Sequence, residues 1–579
     1  MPFLDTGLRR YDGKGSAWAE SRESDPYNNK KGEGMTEQLP LQRFNHWLSQ
    51  QPDTVWLRQP IKGQWHDLTW RQVDDQARRL ASALLALGCA PGDRVALLSK
   101  NCAEWFISDL AIMMAGLVSV PLYPLQTAES IAYVLEHAQC RVILLGKLDD
   151  ADKLEAGIGP QLTRIALPYP TLACAHDWHS LLATHAPLQT LAEQRPEQVL
   201  TLVYTSGTTG NPKGVMLSVQ AMAFTAANAC REMHMSPQDR FFSFLPLSHV
   251  AERFMVEFNS LYCGATVAFT ESLETFASDL RHVRPTVFFA VPRLWTRFQQ
   301  GVLEKLPQAR LARLLRVPLL GRLVARKVRR GLGLDQARIM ISGAAAISRG
   351  LLDWYQAIGL TLCEGYGMSE NVAYGCFNRP GQVRFGTVGR AMPGLEVRIA
   401  EDGEILFRSP TLMLGYYLEP EKTAETLRDG WLHTGDKGEL DAEGYLRITG
   451  RVKDIFKTSK GKYVAPAPIE GEIAKNSHVE QVCLMGSNLD QPLALIELSP
   501  AARLLPVAQV NTDLQATLAH LNTQLQPHER LSHFVLVRDA WTVDNGCMTP
   551  TMKIRRNVLE VRFADEVTRL DPRQVLHWQ

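Results

Sequence analysis

Residues Tyr204 to Ser218 read Tyr-Thr-Ser-Gly-Thr-Thr-Gly-Asn-Pro-Lys-Gly-Val-Met-Leu-Ser and place Thr205, Ser206, Gly207, Thr208, Thr209, Gly210 and Lys213 in one short loop. Glycines let backbone N–H groups approach a polyanion closely, hydroxyls add donors, and the lysine adds a full positive charge. An apolar stretch, Val199 to Tyr204, runs straight into the loop. The spacing is not the Walker one, because two residues separate Gly210 from Lys213 and Gly214 follows the lysine. A flexible Ser/Thr/Gly linker would have no need of Pro212, Lys213 or a strand leading into it. The loop predicts a site for a phosphorylated ligand.

The same stretch resembles the phosphate loop of the adenylate-forming (AMP-binding) superfamily, which includes acyl-CoA synthetases, firefly luciferase and peptide-synthetase adenylation domains. Other segments are similar to that family, in the same order. Leu245-Pro-Leu-Ser-His249 resembles its segment beside the acyl pocket, and Ser342-Gly-Ala-Ala-Ala-Ile347 its adenine-contacting turn. Gly365-Tyr-Gly-Met-Ser-Glu370 resembles its second nucleotide motif. Gly430 to Asp436 and Gly444 to Arg451 match its ribose-binding region and hinge. The resemblance runs from about residue 45 to the C-terminus.

It implies an ATP/AMP site formed by the loop Thr205–Gly210 with Lys213, by Gly343, Ala344 and Ala345, by Gly365, Tyr366, Gly367 and Ser369, and by Asp436 and Arg451. The chemistry of these side chains suits the roles. Ionised Asp436 is acceptor-only, and its two oxygens match the paired hydroxyls of a ribose, although an Asp after Gly435 could equally cap a turn. Arg451 offers a planar fork of donors to the sugar or a phosphate, or makes a surface ion pair. Tyr366 presents a flat face on which adenine could stack, or is plain core. Glu370 supplies a hard oxygen ligand for Mg²⁺, the cofactor the resemblance implies, or is a salt-bridged surface residue. Thr205 and Ser369 are further phosphate contacts. In Met548-Thr-Pro-Thr-Met-Lys553-Ile-Arg-Arg556 the resemblance implies that Lys553 is catalytic together with Glu370; the plainer reading is a lysine in a basic run. Many relatives have Gly just before this lysine, whereas here Met552 stands there, as in the long-chain branch.

A carboxylate at neutral pH needs no general base to attack ATP; the obstacle is bringing one anion onto another. Lys553, Mg²⁺ on Glu370 and the phosphate loop would lower it, giving an acyl-AMP. Coenzyme A would then take the acyl group after the C-terminal domain turns about Arg451-Val452-Lys453, with Lys453 as hinge. That rotation would bring in Lys457 to Pro466, where Gly461 would leave room for a pantetheine arm. Asp454 to Glu470 is similar to long-chain acyl-CoA synthetases, so the implied enzyme is a long-chain fatty acid–CoA ligase, an AMP-forming acid–thiol ligase. One alternative is a fatty acyl-AMP ligase that passes its product to a carrier protein; another, of a different class, is a non-catalytic nucleotide-binding scaffold at a membrane. Phe244, His249, Val250 and Phe254 read either as neighbours of an acyl pocket or as ordinary core.

These residues must be held by an α/β fold. Trp70 to Leu87 and Asn101 to Ala115 have apolar positions at helical spacing, and Arg94 to Leu98 and Arg141 to Leu145 read as buried strands. Such alternation favours mostly parallel sheets, and it repeats at Val199–Tyr204, Thr286–Val291 and Arg338–Ile341. From Gly386 short strands separated by Gly, Pro and Asp predict a β-rich subdomain. The expected organisation is a flexible N-terminal extension (1–40), a large adenylation domain (41–450) and a smaller, mobile α+β domain (451–579).

The chain's 579 residues are too many for one core. With 62 Lys plus Arg against 61 Asp plus Glu, no global field attracts nucleic acid, so an anion must be held locally. The ten cysteines form no CxxC pair and suggest a reducing, cytoplasmic setting. The longest uncharged run, Leu110 to Ala128, contains Pro121 and Pro124 and suits a buried helix followed by an extended segment. Residues 305–330 hold nine basic residues and no acidic one, with Leu311, Leu314 and Leu315 at helical spacing. Such a stretch either meets the anionic inner face of a membrane peripherally or is a solvated helix–loop–helix. The expected partners are fatty acid, ATP and coenzyme A, with no obligate protein partner.

Overall fold

The computed structural model describes residues 37–205, 211–452, 454–487, 489–549, 553–570 and 574–579. The largest sheet has eight strands, in the spatial order Gly415–Tyr416, Lys213–Ser218, Val199–Thr205, Val118–Leu122, Arg94–Leu98, Cys140–Leu145, Thr163–Ala166 and His176–Asp177. From Val199–Thr205 to His176–Asp177 all neighbours are parallel. Parallel strands are covered on both faces, which is why Val95, Ala96, Leu97 and Leu98 form an unbroken apolar run and are all buried. Helix Trp70–Ala86 starts at a capping box: the Thr69 side chain accepts from Gln72 N at 3.3 Å, and Gln72 Oε1 accepts from Thr69 N at 2.9 Å. The uncharged run divides into helix Ala103–Met114 and strand Val118–Leu122.

Two further sheets share this large body. One holds Arg240–Ser243, Thr266–Phe269 and Val55–Ile61 in parallel, with Gln64–Thr69 folded back antiparallel. The other runs Val287–Ala290, Ile339–Ser342 and Leu362–Tyr366 in parallel, then Cys376–Phe377 and Arg390–Ala391 antiparallel. The β-rich part is an antiparallel sheet of Glu396–Ile399, Glu404–Arg408, Trp431–Leu440, Leu427–Arg428 and Leu446–Arg451.

Beyond Arg451 a four-stranded sheet, Val479–Met485, Leu493–Leu498, Phe534–Val537 and Leu576–Trp578, carries helix Val507–Gln524 on one face and helix Arg556–Arg569 on the other. Alternation along the strands separates the cores: Leu484, Ile496 and Leu536 meet the first helix, and Cys483, Leu495 and Val535 the second. The expected 1–40 extension lies outside the described residues up to 36. Leu39 and Pro40 are already buried, because helix Pro40–Gln50 packs Phe44 against Trp56 and Trp70.

One buried ion cluster ties the large body together. Arg253, on the π-helical turn Arg253–Phe258, has no exposed side-chain surface. It pairs with Asp109, donates to Glu257 Oε2 at 3.1 Å and to Thr201 Oγ1 at 2.7 Å. Thus the segment after His249 is fastened to helix Ala103–Met114 and to the strand that leads into the phosphate loop.

Candidate active site

Thr205 and Lys213 face each other across the antiparallel pair Val199–Thr205 and Lys213–Ser218, so the two described ends of the predicted loop stand side by side. Ser206, Gly207, Thr208, Thr209 and Gly210 lie outside the described residues. The Lys213 ammonium stands over the Tyr416 ring, 4.7 Å from its centroid. The Tyr416 hydroxyl donates to Glu370 Oε1 at 2.8 Å. Tyr416 is held by pairing with Val215 and by its own N–H donating to Thr423 Oγ1 at 2.8 Å. Glu370 and Ser369 occupy the 3₁₀ turn Ser369–Asn371, and the Glu370 carbonyl accepts from Met413 N at 2.7 Å. One tyrosine thereby joins the phosphate-loop lysine to the carboxylate chosen as metal ligand.

Register brings the two adenine motifs side by side. Ser342 and Glu364 are partners on adjacent parallel strands, and a methyl on Gly343 would lie 3.4 Å from the Gly365 carbonyl oxygen. Ala344 takes a left-handed φ of +67°, and Ala345 is exposed beside it. Gly367 has no room for a side chain: a methyl would sit 2.5 Å from the Ala373 backbone.

The ribose candidates converge on Asp436. Its Oδ2 accepts the Tyr366 hydroxyl at 2.6 Å and its Oδ1 lies 3.0 Å from Arg451 Nε, the two strands placing Asp436 opposite Arg451. The turn is fixed by Thr434, whose hydroxyl donates to the Ile405 carbonyl at 2.7 Å and accepts from Asp436 N at 3.1 Å. Asp436 is therefore not a turn cap; its carboxylate is aimed across the sheet. Tyr366 packs its ring near Phe407 and is tied at its hydroxyl as well as offering a face. Burial, and next the Asp436 charge, push its phenol well above the usual range.

Lys553 arrives from the smaller body. Its N–H donates to Thr549 Oγ1 at 3.0 Å and its carbonyl accepts from Thr549 N at 2.8 Å, while Met548 bridges to Ile554. Met552, between them, lies outside the described residues. Arg556 anchors the turn, donating to Glu470 Oε1 at 2.7 Å and to the Leu484 carbonyl. Lys553 is exposed as a residue, with its ammonium near protein atoms. That crowding, and next the Arg451 charge, lower its ammonium pKa, while Asp436 and Glu370 oppose the fall. Its charge also reaches His249, whose pKa burial and Lys553 together hold down at about 4. His249 Nδ1 accepts from Ala251 N at 3.1 Å, which makes it a helix cap.

Tyr416 was not legible as a site residue, and its only signal is position in a two-residue strand far along the chain. Glu364 was missed as well. Burial raises its carboxyl to about 7, and among the described residues its Oε2 and the neighbouring Ser342 Oγ are buried without a hydrogen-bond partner. A charged residue inside the apolar run Leu362-Cys363-Glu364 is the clue that was available. Gly461 has φ +75° at the tip of the hairpin Phe456–Lys457 and Tyr463–Val464, and no hydrogen bond or ion pair among the described residues links that hairpin to Asp436 or Glu370. Lys453 lies outside the described residues. A cavity lined by Val55, Arg58, Arg240 and Thr266 is elsewhere and touches none of these groups.

The match of a family model over most of the large body shows the class: the chain belongs to the AMP-binding enzyme family. The AMP-binding enzyme model matches residues 44–417, and the AMP-binding enzyme C-terminal domain model matches residues 453–572. Among curated relatives, a long-chain-fatty-acid–CoA ligase of Mycobacterium bovis is 31% identical, covering 89% of this chain and 94% of its own. Long-chain-fatty-acid–CoA ligase 1 of Homo sapiens is 30% identical over 86% of this chain and 82% of its own. Among solved structures, an anthranilate CoA ligase in complex with anthranoyl-AMP superposes with a TM-score of 0.77 at 23% identity, covering 92% of this chain and 99% of that one. The O-succinylbenzoate coenzyme A synthetase of Bacillus subtilis, in complex with AMP, gives 0.73 at 22%, covering 91% and 98%. These two likenesses speak to the fold.

Proposed function

We propose that this protein activates a long-chain fatty acid with ATP and transfers it to coenzyme A. The observation that carries the reading is the placement of Lys553, a C-terminal residue, within electrostatic reach of Arg451, Asp436 and Glu370. The names of the curated relatives support the acyl class and the acceptor. In the first half-reaction a carboxylate oxygen of the fatty acid attacks the α-phosphorus, the bond to pyrophosphate breaks, and acyl-AMP forms. Lys553 offsets the charge gathering on the reacting anions, Lys213 and the predicted loop hold the phosphates, and Asp436 with Arg451 holds the ribose. In the second, the thiol sulfur attacks the acyl carbonyl, AMP leaves with the bridging oxygen, and the thiol proton is released to solvent.

A magnesium ion fits the donors present. No group of three His, Cys, Asp or Glu forms a metal cage among the described residues, and Mg²⁺ habitually takes one or two carboxylates plus substrate phosphates. Glu370, beside the phosphate-loop lysine, is the residue to hold it. When bound, the ion would neutralise phosphate charge.

Lys453 is proposed as the pivot that exchanges Lys553 for the hairpin around Gly461. Among the described residues no helix is long and apolar enough to cross a membrane. The purified protein, given ATP, palmitate and coenzyme A, is expected to release AMP only with all three present and to yield palmitoyl-CoA. Accumulation of acyl-AMP that coenzyme A does not discharge would assign it to the acyl-AMP ligases instead.

A further inference from the structure

The basic stretch forms two helices, Gln308–Leu315 and Pro318–Leu332, that meet in a tight knuckle. Gly321 makes the knuckle possible: a methyl there would sit 2.5 Å from the Leu315 carbonyl oxygen, and its N–H donates to the Val317 carbonyl at 2.6 Å. The inner side is satisfied. Leu311 is buried, and Leu315, Val324 and Val328 pack on the core around Trp295 and Trp354. The outer side is not: Val317, Leu319, Leu320 and Leu323 are 49%, 76%, 42% and 64% exposed. Arg313, Arg316, Arg322 and Arg326 lie on the same two helices and the turn between them, all exposed and none in an ion pair among the described residues. Four exposed apolar side chains on a basic segment do not suit water.

We infer that this knuckle docks on an anionic lipid bilayer, its leucines entering the boundary between headgroups and acyl chains and its arginines meeting lipid phosphates. The charge decides the occupant. A second copy of the knuckle would set like charges together, whereas a surface of anionic headgroups complements every cation on it. The purpose of the docking rests on the fatty acid reading, because a long acyl chain partitions into bilayers, but the docking itself is measured without substrate.

The test is co-sedimentation of the full chain with phosphatidylcholine vesicles and with vesicles in which about a third of the lipid is phosphatidylglycerol. Binding is expected to the anionic vesicles alone and to weaken steeply between about 0.1 and about 1 M salt. Leu319→Ser with Leu323→Ser should lower partitioning at least about tenfold. Replacing Arg313, Arg316, Arg322 and Arg326 by Gln should lower it at least about a hundredfold, at roughly fivefold per cation. Both variants should keep the parent's thermal transition, and so should their activity on dissolved fatty acid. Equal binding to neutral vesicles, unchanged partitioning of either variant, or no binding at all would overturn the inference. So would a dimer, without lipid, that the leucine changes dissociate, since that would give the surface to a second copy.

Discussion

The Tyr366 hydroxyl donates to Asp436 Oδ2 at 2.6 Å, joining the second nucleotide motif to the β-rich sheet across seventy positions of sequence. The bond is charge-assisted, and with Arg451 on the other oxygen it fixes the carboxylate before any nucleotide arrives. Tyr366→Phe keeps the flat ring and removes only this constraint. ATP binding, followed by calorimetry with a non-hydrolysable analogue, is expected to weaken roughly tenfold. Unchanged affinity would leave Asp436 without need of its tyrosine.

In the role proposed for it Lys553 acts as a cation, and its surroundings depress its pKa from the ordinary 10.5. Raising the pH removes the proton, so fatty-acid-dependent pyrophosphate exchange is expected to fall on an alkaline limb whose midpoint lies below 10.5. Lys553→Arg should retain its charge and lose that limb. Lys553→Ala should cut exchange at least about 10²-fold.

Lys453→Pro restricts the backbone at the proposed pivot. Transfer of acyl groups from pre-formed acyl-AMP to coenzyme A should drop far more than pyrophosphate exchange. Equal losses in both assays would reject the pivot.

Arg253→Met removes the shared partner of Asp109 and Glu257, both buried, and strands two carboxyl groups in the interior. The expected cost is about 3–5 kcal/mol, read as a lower urea midpoint for the large body. Replacing Asp109 and Glu257 by Leu in the same variant should recover most of it.

His533 and His577 lie edge to face, 4.9 Å apart, both buried, and burial with the His577 charge holds His533 at about 4. The folded form resists a proton that the unfolded chain takes up near 6.5, so stability is full above that value and declines as pH falls from 6.5 to 4. At about 1.4 kcal/mol per unit, the decline attributable to His533 is roughly 3 kcal/mol. His533→Phe should flatten this part of a melting-temperature profile; an unaltered slope would clear His533 of the effect.

The sequence made local geometry legible and long-range partners illegible. Val199–Tyr204 could be read as a strand from its apolar run, and the strand runs to Thr205. Nothing local marks Tyr416, because its importance comes from pairing with Val215 and reaching Glu370. His249 read as pocket wall or core, and the structure shows a helix cap that accepts from Ala251 N. Arg253 was passed over because Asp109 and Thr201 come from other elements. Met552 was read by family resemblance alone, whereas the loop Ser206–Gly210 announced itself through its glycines and hydroxyls.

The turn that bears Lys553 is bolted by Arg556 to Glu470 and to the strand Val479–Met485. On the proposed pivot, Lys553 would move with the body that Arg556 ties it to, so a covalent staple at the Arg293–Glu480 ion pair is expected to spare formation of the mixed anhydride and block its discharge.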